Sequence, residues 1–214
     1  MLTEYDVIIV GGGGSGLAAA VRALEQGASV LVLEKQPQLG GTTGMAIGSF
    51  TANGTSLQRD AGVIDNADDH ETDAGQFAAA EVEAQNNSEL RRFFLGETAV
   101  MLEWLRDMGL YFHGPNPEPP NRVPRMHNIV PNAKAYIAAF QARIIRLKGT
   151  IVCSAPVMEL VSDGTRITGV VAEIEGTQKT ITAKRGVVLA AGDYSSAPEM
   201  IGRFKGDRFK TIEG

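Results

Sequence analysis

Gly11, Gly13 and Gly16 stand in the spacing Gly-x-Gly-x-x-Gly, and an acidic residue, Glu34, follows eighteen residues after the third glycine. That spacing lets a backbone wrap a pyrophosphate. The first glycine makes a tight turn, the second admits the phosphate, and the third lets a helix pack closely on the preceding strand. Gly14 and Ser15 lie between them, and Ser15 adds a hydroxyl donor. The N–H groups and positive dipole at a helix start face the phosphates. A carboxylate at Glu34 would accept hydrogen bonds from both hydroxyls of an adenosine ribose and repel a 2′-phosphate, which disfavours NADP; Lys35 lies beside it.

The elements needed to position these residues are legible. Tyr5 to Val10 is a short β-branched apolar run, as for a strand buried on both faces. Leu17 to Gln26 is rich in helix formers and stops at Gly27, and Ala28 to Lys35 reads as a second buried strand. The motif therefore sits in the strand–helix–strand context that gives it meaning. Gln36 to Asn53 reads as a glycine-rich loop facing ligand. Residues 66–112 read as helical, with Ser88 as the cap of a helix towards Leu95 and a further helix through Leu102, Trp104 and Leu105 to Gly109. Gly114 to Pro124 holds five prolines and reads as an irregular loop. Asn132 is expected to cap a helix through Leu147. Beyond it, Thr150 to Ser154 reads as a strand. Val157–Val161, Arg166–Glu175 and Lys179–Ala183 read as an antiparallel meander with a turn at Asp163-Gly164, and Arg185 to Ala191 as a separate buried strand.

Composition narrows the function classes. The 214 residues are 43% hydrophobic and 21% charged, as in globular chains, which excludes disorder, collagen and coiled coil. A net charge of −5 argues against nucleic acid as a partner. A single cysteine, Cys153, excludes an intramolecular disulfide, fits a reducing compartment and is expected to be an inert core thiol. No basic start precedes an apolar run of signal length, and no run of about twenty apolar residues is present, so a cytoplasmic protein without a membrane segment is expected.

Three stretches, VIIVGGGGSGLAAA, EKQPQLGGTTGMAIGSF and LAAGDYSSAPEMI, together resemble the flavoprotein family of fumarate reductases, succinate dehydrogenases and 3-ketosteroid dehydrogenases. The resemblance covers nearly the whole chain and implies an α/β fold. It predicts a Rossmann-like FAD-binding domain with a parallel sheet, a helical insertion and a β-meander over residues 1–200, and the start of a capping domain over 201–214. Under it, Gly40, Gly41, Thr42 and Thr43 wrap the diphosphate and flavin side of FAD. Ile47, Gly48 and Ser49 run past the isoalloxazine. Val157 offers backbone groups to adenine, and Ala190, Ala191, Gly192 and Asp193 form a turn against the cofactor. Respiratory members attach FAD to a histidine in the second glycine loop; none lies between Gly40 and Phe50, so non-covalent FAD is expected.

The resemblance further implies hydride transfer between flavin and a carbon next to a carboxylate or ketone. The substrate-holding residues of such enzymes lie beyond the matched part, so a missing C-terminal half or a partner chain is expected. Two alternatives stand beside this reading: a non-catalytic FAD-binding subunit that needs a partner, and an NAD-binding dehydrogenase domain. Arg125 and His127, with Arg122, are the candidates for local chemistry, as a basic edge near the flavin or an anionic substrate; a solvated loop with one satisfied histidine is the favoured reading. Tyr111 and His113 are expected to pack or face solvent, and the proline loop lacks the tyrosine that some ketosteroid dehydrogenases carry there. His70 lies among Asp68, Asp69 and Glu71, but neighbouring helix residues point different ways, so a solvated helix start and no metal are expected.

Overall fold

The computed structural model describes residues 2–195 and 197–209. The chain divides into two units, Met1–Thr42 with Ile144–Gly214, and Thr43–Arg143.

The first unit is built on a six-stranded sheet. The strands are β1 Glu4–Val10, β2 Val30–Leu33, β6 Thr150–Val152, β7 Val157–Ser162, β8 Ile167–Ile174 and β9 Thr177–Leu189, in the order β6-β2-β1-β9-β8-β7. β6, β2, β1 and β9 run parallel, whereas β8 and β7 are antiparallel additions. Helix α1, Gly14–Glu25, lies in sequence between β1 and β2. Successive β1 residues Ile8 and Ile9 are both fully buried, and every residue of β2 is buried. Both faces of these strands are therefore covered, which is why their sequences read as continuous rather than alternating apolar runs. Ile8, Leu31 and Leu33 share one core with Val170, Ala172, Ile174 and Ile181. Alternate residues of β8 are buried, as expected of a strand with one covered face.

The expected return strand is not separate. β9 is one thirteen-residue strand whose partner changes part-way: Thr177 to Thr182 pair antiparallel with β8, and Thr182 to Leu189 pair parallel with β1. Lys184, which falls between the two expected strands, and Arg185, the expected start of the second, are exposed within it, and Lys184 pairs with Glu4 at 2.8 Å. Its end is also less buried than expected, because Val188 and Leu189 are exposed. Helix α7, Pro198–Lys205, crosses the expected domain boundary at residue 200; residues 210–214 of the expected capping segment lie outside the described residues.

The second unit contains a three-stranded antiparallel sheet, β3 Ser49–Thr51, β5 Met126–Val130 and β4 Tyr111–Asn116, in the order β3-β5-β4. Its helices are α2 Ser56–Asp60, α3 Ala67–Ala74, α4 Ala80–Glu83, α5 Ser88–Asp107 and most of α6 Lys134–Arg146. This sheet corrects the loop readings of 36–53 and 114–124. Where the sequence shows two helices after Ser88, the chain forms one of twenty residues, capped by the Asn87 side chain accepting from the Leu90 N–H at 3.0 Å. It runs through Gly96, whose added Cβ would meet nothing within 4 Å.

Candidate functional site

In the first unit, the carboxyl ends of β1, β2 and β9 bring three segments together. Gly11 follows β1, and its N–H donates to the Leu33 carbonyl at the end of β2. Ala190 follows β9, and its N–H donates to the Val10 carbonyl. Glu34 follows β2. This is the edge at which open α/β sheets bind ligands. Gly12 donates its N–H to Glu34 Oε2 at 2.6 Å, and Gln36 donates to Oε1 at 2.8 Å. Glu34 is buried, at 8% exposure. Each oxygen accepts one backbone bond and retains a lone-pair direction for a further donor.

The glycines differ in why they are needed. A Cβ on Gly16 would lie 2.0 Å from the Gly11 carbonyl oxygen and 3.2 Å from Ile9 Cγ2, so Gly16 is required by the packing of α1 on β1. Gly13 is different. It caps α1 in extended backbone (φ −82°), and a Cβ there would meet nothing closer than 3.9 Å. Neither strain nor a neighbour among the described residues calls for glycine at 13, and what the missing Cβ leaves is space beside the turn. Gly13 has no side chain with which to cap α1, and no acid occupies the first turn of the helix, so the positive end of its dipole lies at this turn.

The second glycine loop meets the first here. Gly40 donates its N–H to the Gly12 carbonyl at 3.0 Å, and Gly13 and Gly40 form a parallel bridge. Gly41 has φ +51°, and its Cβ would come within 3.2 Å of Gly13 Cα. Ser15, Lys35, Gly41 and Thr42 are exposed around this junction. Ala191, Gly192 and Asp193 are exposed as well, and Ser195 hydrogen bonds hold the Asp193 carboxyl below its ordinary range. Val157, half-buried, opens β7 opposite Ala172. Cys153 follows β6 rather than lying within it; it is half-buried, and burial together with the nearby Glu34 charge raises its thiol pKa. A cradle of small residues, two backbone turns in contact and a buried carboxylate fits the adenosine and diphosphate end of a dinucleotide.

Thr43, Ile47, Gly48 and Ser49 belong to the second unit. Thr43 falls in a 3₁₀ turn, Thr42–Met45, and Ser49 opens β3. Ile47 is 86% and Met45 81% exposed. The loop backbone is tied down: Tyr136 on α6 donates its hydroxyl to the Gly48 carbonyl at 2.9 Å, and the Ser49 hydroxyl donates to Asn128 Oδ1 at 2.8 Å.

Arg125 and His127 do not line an open surface, since both are fully buried in this unit. Arg125 makes a two-point ion pair with Asp65, both contacts at 2.7 Å, reaches Asp73 Oδ2 at 2.5 Å and donates to Asn121 at 2.9 Å. Exposed Arg122 adds a bond to Asp73 at 2.7 Å. His127 lies 3.2 Å from the Phe50 carbonyl through Nδ1 and 3.1 Å from the Thr55 hydroxyl through Nε2. A carbonyl only accepts, so Nδ1 carries the proton and Nε2 accepts from Thr55. Burial lowers the His127 pKa and favours this neutral form. His70 corrects the expectation of a solvated helix start. It is buried, its Nδ1 accepts from the Asn53 side-chain amide at 3.1 Å, and burial reinforced by the Arg125 charge lowers its pKa to about 4. Asn66 caps α3 through the Asp69 N–H, which sets where the helix starts but not which face is buried. Tyr111 and His113 face solvent.

The comparisons with known proteins agree with this geometry. A family model described as "FAD binding domain" matches residues 6–212. The NADH:fumarate oxidoreductase of Klebsiella pneumoniae (strain 342) is 29% identical over 209 residues, which are 95% of this chain and 22% of that protein. The open conformation of a flavocytochrome c3 fumarate reductase superposes with a TM-score of 0.87 at 25% identity, covering 97% of this chain and 37% of that one. The 3-ketosteroid-Δ4-(5α)-dehydrogenase of Rhodococcus jostii RHA1, solved in complex with 4-androstene-3,17-dione, gives 0.80 at 26% identity, covering 94% and 48%. The chain thus spans less than half of each of these proteins. Among its described residues no helix is long and apolar enough to cross a membrane. Since the family model runs over nearly the whole sequence, including both glycine loops, the chain belongs to the FAD binding domain family and its cofactor is FAD.

Proposed function

We propose that this chain is the FAD-binding portion of a cytoplasmic flavin-dependent oxidoreductase of the fumarate reductase-like class, acting on a carbon next to a carboxylate or ketone. The carrying observation is Gly13. Among the described residues nothing closely approaches a Cβ there, yet the turn stands at the helix N-terminus, beside the buried Glu34 and against Gly41. A pyrophosphate approaching the backbone accounts for it. In this reading Gly11, Gly13, Gly14, Ser15, Gly16, Gly40, Gly41 and Thr42 hold the diphosphate. Glu34, beside Lys35, holds the ribose, Val157 borders adenine, and Ala190, Ala191, Gly192 and Asp193 close the turn. Thr43, Ile47, Gly48 and Ser49 enter on the resemblance alone, as neighbours of the flavin ring. The residues divide as an FAD-binding domain over 1–200 and the beginning of a cap over 201–214.

FAD, when bound, supplies two-electron exchange with substrate. This chain's part is to bind and orient it. The positive dipole end at the start of α1 offsets phosphate charge, and Glu34 fixes the ribose. The buried, ion-paired Arg125 and neutral His127 support a structural role in preference to direct contact with substrate. Substrate-holding groups are assigned to further sequence or to a partner chain, in line with the chain spanning 22% to 48% of the three relatives. With no histidine in the second glycine loop, FAD is held non-covalently. An absorbance spectrum of the purified chain, before and after denaturation, tests both points. Flavin bands that pass into the supernatant on denaturation are expected. Flavin that stays with the precipitated chain overturns non-covalent attachment, and a colourless chain that takes up no added FAD overturns the assignment of this fold as self-sufficient for binding.

A further inference from the structure

The loop Thr43–Ser49 combines two properties that seldom occur together. Its tip presents large apolar side chains to open space, Met45 at 81% and Ile47 at 86% exposure. Its base is immobilised. Gly48 has φ +96°, and a Cβ there would lie 2.4 Å from Ile129 Cγ2 and 3.0 Å from Ala133 Cα, so its backbone is wedged against β5 and the start of α6. The Tyr136 hydroxyl donates to the Gly48 carbonyl, and Ser49 is paired with Asn128 both in the β3–β5 ladder and through its hydroxyl. The Tyr136 ring is itself fixed 6.0 Å from Phe112, which stands edge-on to Phe50 at 6.4 Å. A slack loop would fold Met45 and Ile47 onto its own unit and remove them from water. A tethered one cannot, and a surface fixed before binding spares a ligand the cost of ordering it.

We infer that Tyr136 is a positioning residue for the ring end of FAD: by fixing the Gly48 carbonyl it holds the 43–49 loop as a preset apolar surface on which the flat isoalloxazine rests. The inference depends on the flavin reading proposed above. Burial raises the Tyr136 pKa, so its hydroxyl stays protonated and remains a donor across the working pH range. Tyr136 does not touch the ring; it acts through Gly48. The same bond explains a tyrosine where phenylalanine would fill the space against Phe112 equally well.

The test is Tyr136→Phe in the full chain, compared with wild type by FAD fluorescence titration, by the flavin visible spectrum and by amide exchange over residues 45–49. One lost hydrogen bond is expected to raise the FAD dissociation constant about tenfold. The band shape should move towards that of free FAD, and exchange at Ile47 to Ser49 should quicken while β1 and β2 remain unchanged. A purely structural tyrosine would leave the spectrum of the bound flavin unmoved. If wild type binds FAD and the variant binds with the same constant and spectrum, the role of Tyr136 is overturned while the flavin reading stands. If wild type leaves FAD fluorescence unquenched, the flavin reading falls and this inference falls with it. Should Tyr136→Phe fail to fold, Asn128→Ala loosens the same loop from the Ser49 side; an unchanged spectrum in that variant also overturns the proposal.

Discussion

Glu34 shows how one residue type at one spacing carries two duties. Its carboxylate accepts backbone N–H bonds from Gly12 and Gln36, and so holds the first glycine turn to the end of β2 before any ligand arrives. A ribose would use the lone pairs that remain. Glu34→Ala is therefore expected to do more than weaken FAD binding by about 1–3 kcal/mol, the cost of leaving buried polar partners unmet. It should also lower the melting temperature, because two N–H groups lose their acceptor. Fluorescence titration and thermal unfolding on one preparation separate the two effects, and an unchanged dissociation constant removes Glu34 from the ribose. The residue was legible because its role follows from its distance to a glycine motif. Arg125 was not. A basic cluster in a loop reads as surface, and only tertiary structure brings Asp65 and Asp73 around it. Arg125→Met leaves both carboxylates buried without their main partner and should destabilise the fold by about 3–5 kcal/mol, measured by urea unfolding. A catalytic arginine would instead lower turnover with stability intact.

At the scale of elements, the strand–helix–strand unit and the Asp163-Gly164 hairpin were legible, because local residues determine them. The Asp163 carboxylate accepts from Thr165 and Arg166 N–H, and the Ser162 hydroxyl accepts from Gly164 N–H, to close that turn. The β3–β5 sheet was hidden because its strands are short and β4 carries Gly114 and Pro115, which read as breakers. β9 was read as two strands because its partner, not its conformation, changes near Thr182. The packing of α3 was equally invisible, and it has a consequence in acid. His70 has a pKa near 4 in the fold against 6.5 ordinarily. Between those values the unfolded chain binds a proton that the folded chain does not. The stabilisation is therefore complete above pH 6.5 and is lost as pH falls towards 4, by up to about 3 kcal/mol. Burial of His127 acts in the same direction. Asp73, held near 2 by Arg122 and Arg125 against the cost of its burial, contributes above pH 3.8 and loses its share only as pH falls towards 2. Urea midpoints should thus begin to decline below pH 6.5, ahead of the carboxylates, whose losses begin only below about 4.5. His70→Gln keeps an acceptor for Asn53 and should flatten that decline; an equal slope in the variant would assign it elsewhere.

At the scale of the whole molecule, the balance of apolar surface matters more than any single contact. α5 carries two apolar stripes. Leu95, Leu102 and Leu105 face the core of their unit, while Leu90, Phe93, Phe94, Val100 and Met101 fall on a second face and are exposed. Spacings of three, four and seven residues make that second stripe contiguous. In the first unit, Val188 and Leu189 at the end of β9 add exposed apolar area. Contiguous exposed apolar stripes favour association. Opposing them is only a net charge of −5, which vanishes near the sequence pI of about 5.3. The purified chain is therefore expected to self-associate as concentration rises, more strongly in high salt, where charge repulsion is screened while apolar attraction persists. Sedimentation velocity at pH 7.5, where His70 is neutral and the fold intact, isolates this effect from acid unfolding. The double variant Phe93→Glu, Phe94→Glu adds charge in the middle of the α5 stripe and touches neither glycine loop. It should shift the distribution to monomer and leave FAD affinity unchanged. A wild-type chain that stays monomeric at high concentration in high salt would mean that the exposed stripe is too weakly apolar to drive association, and that net charge alone governs solubility.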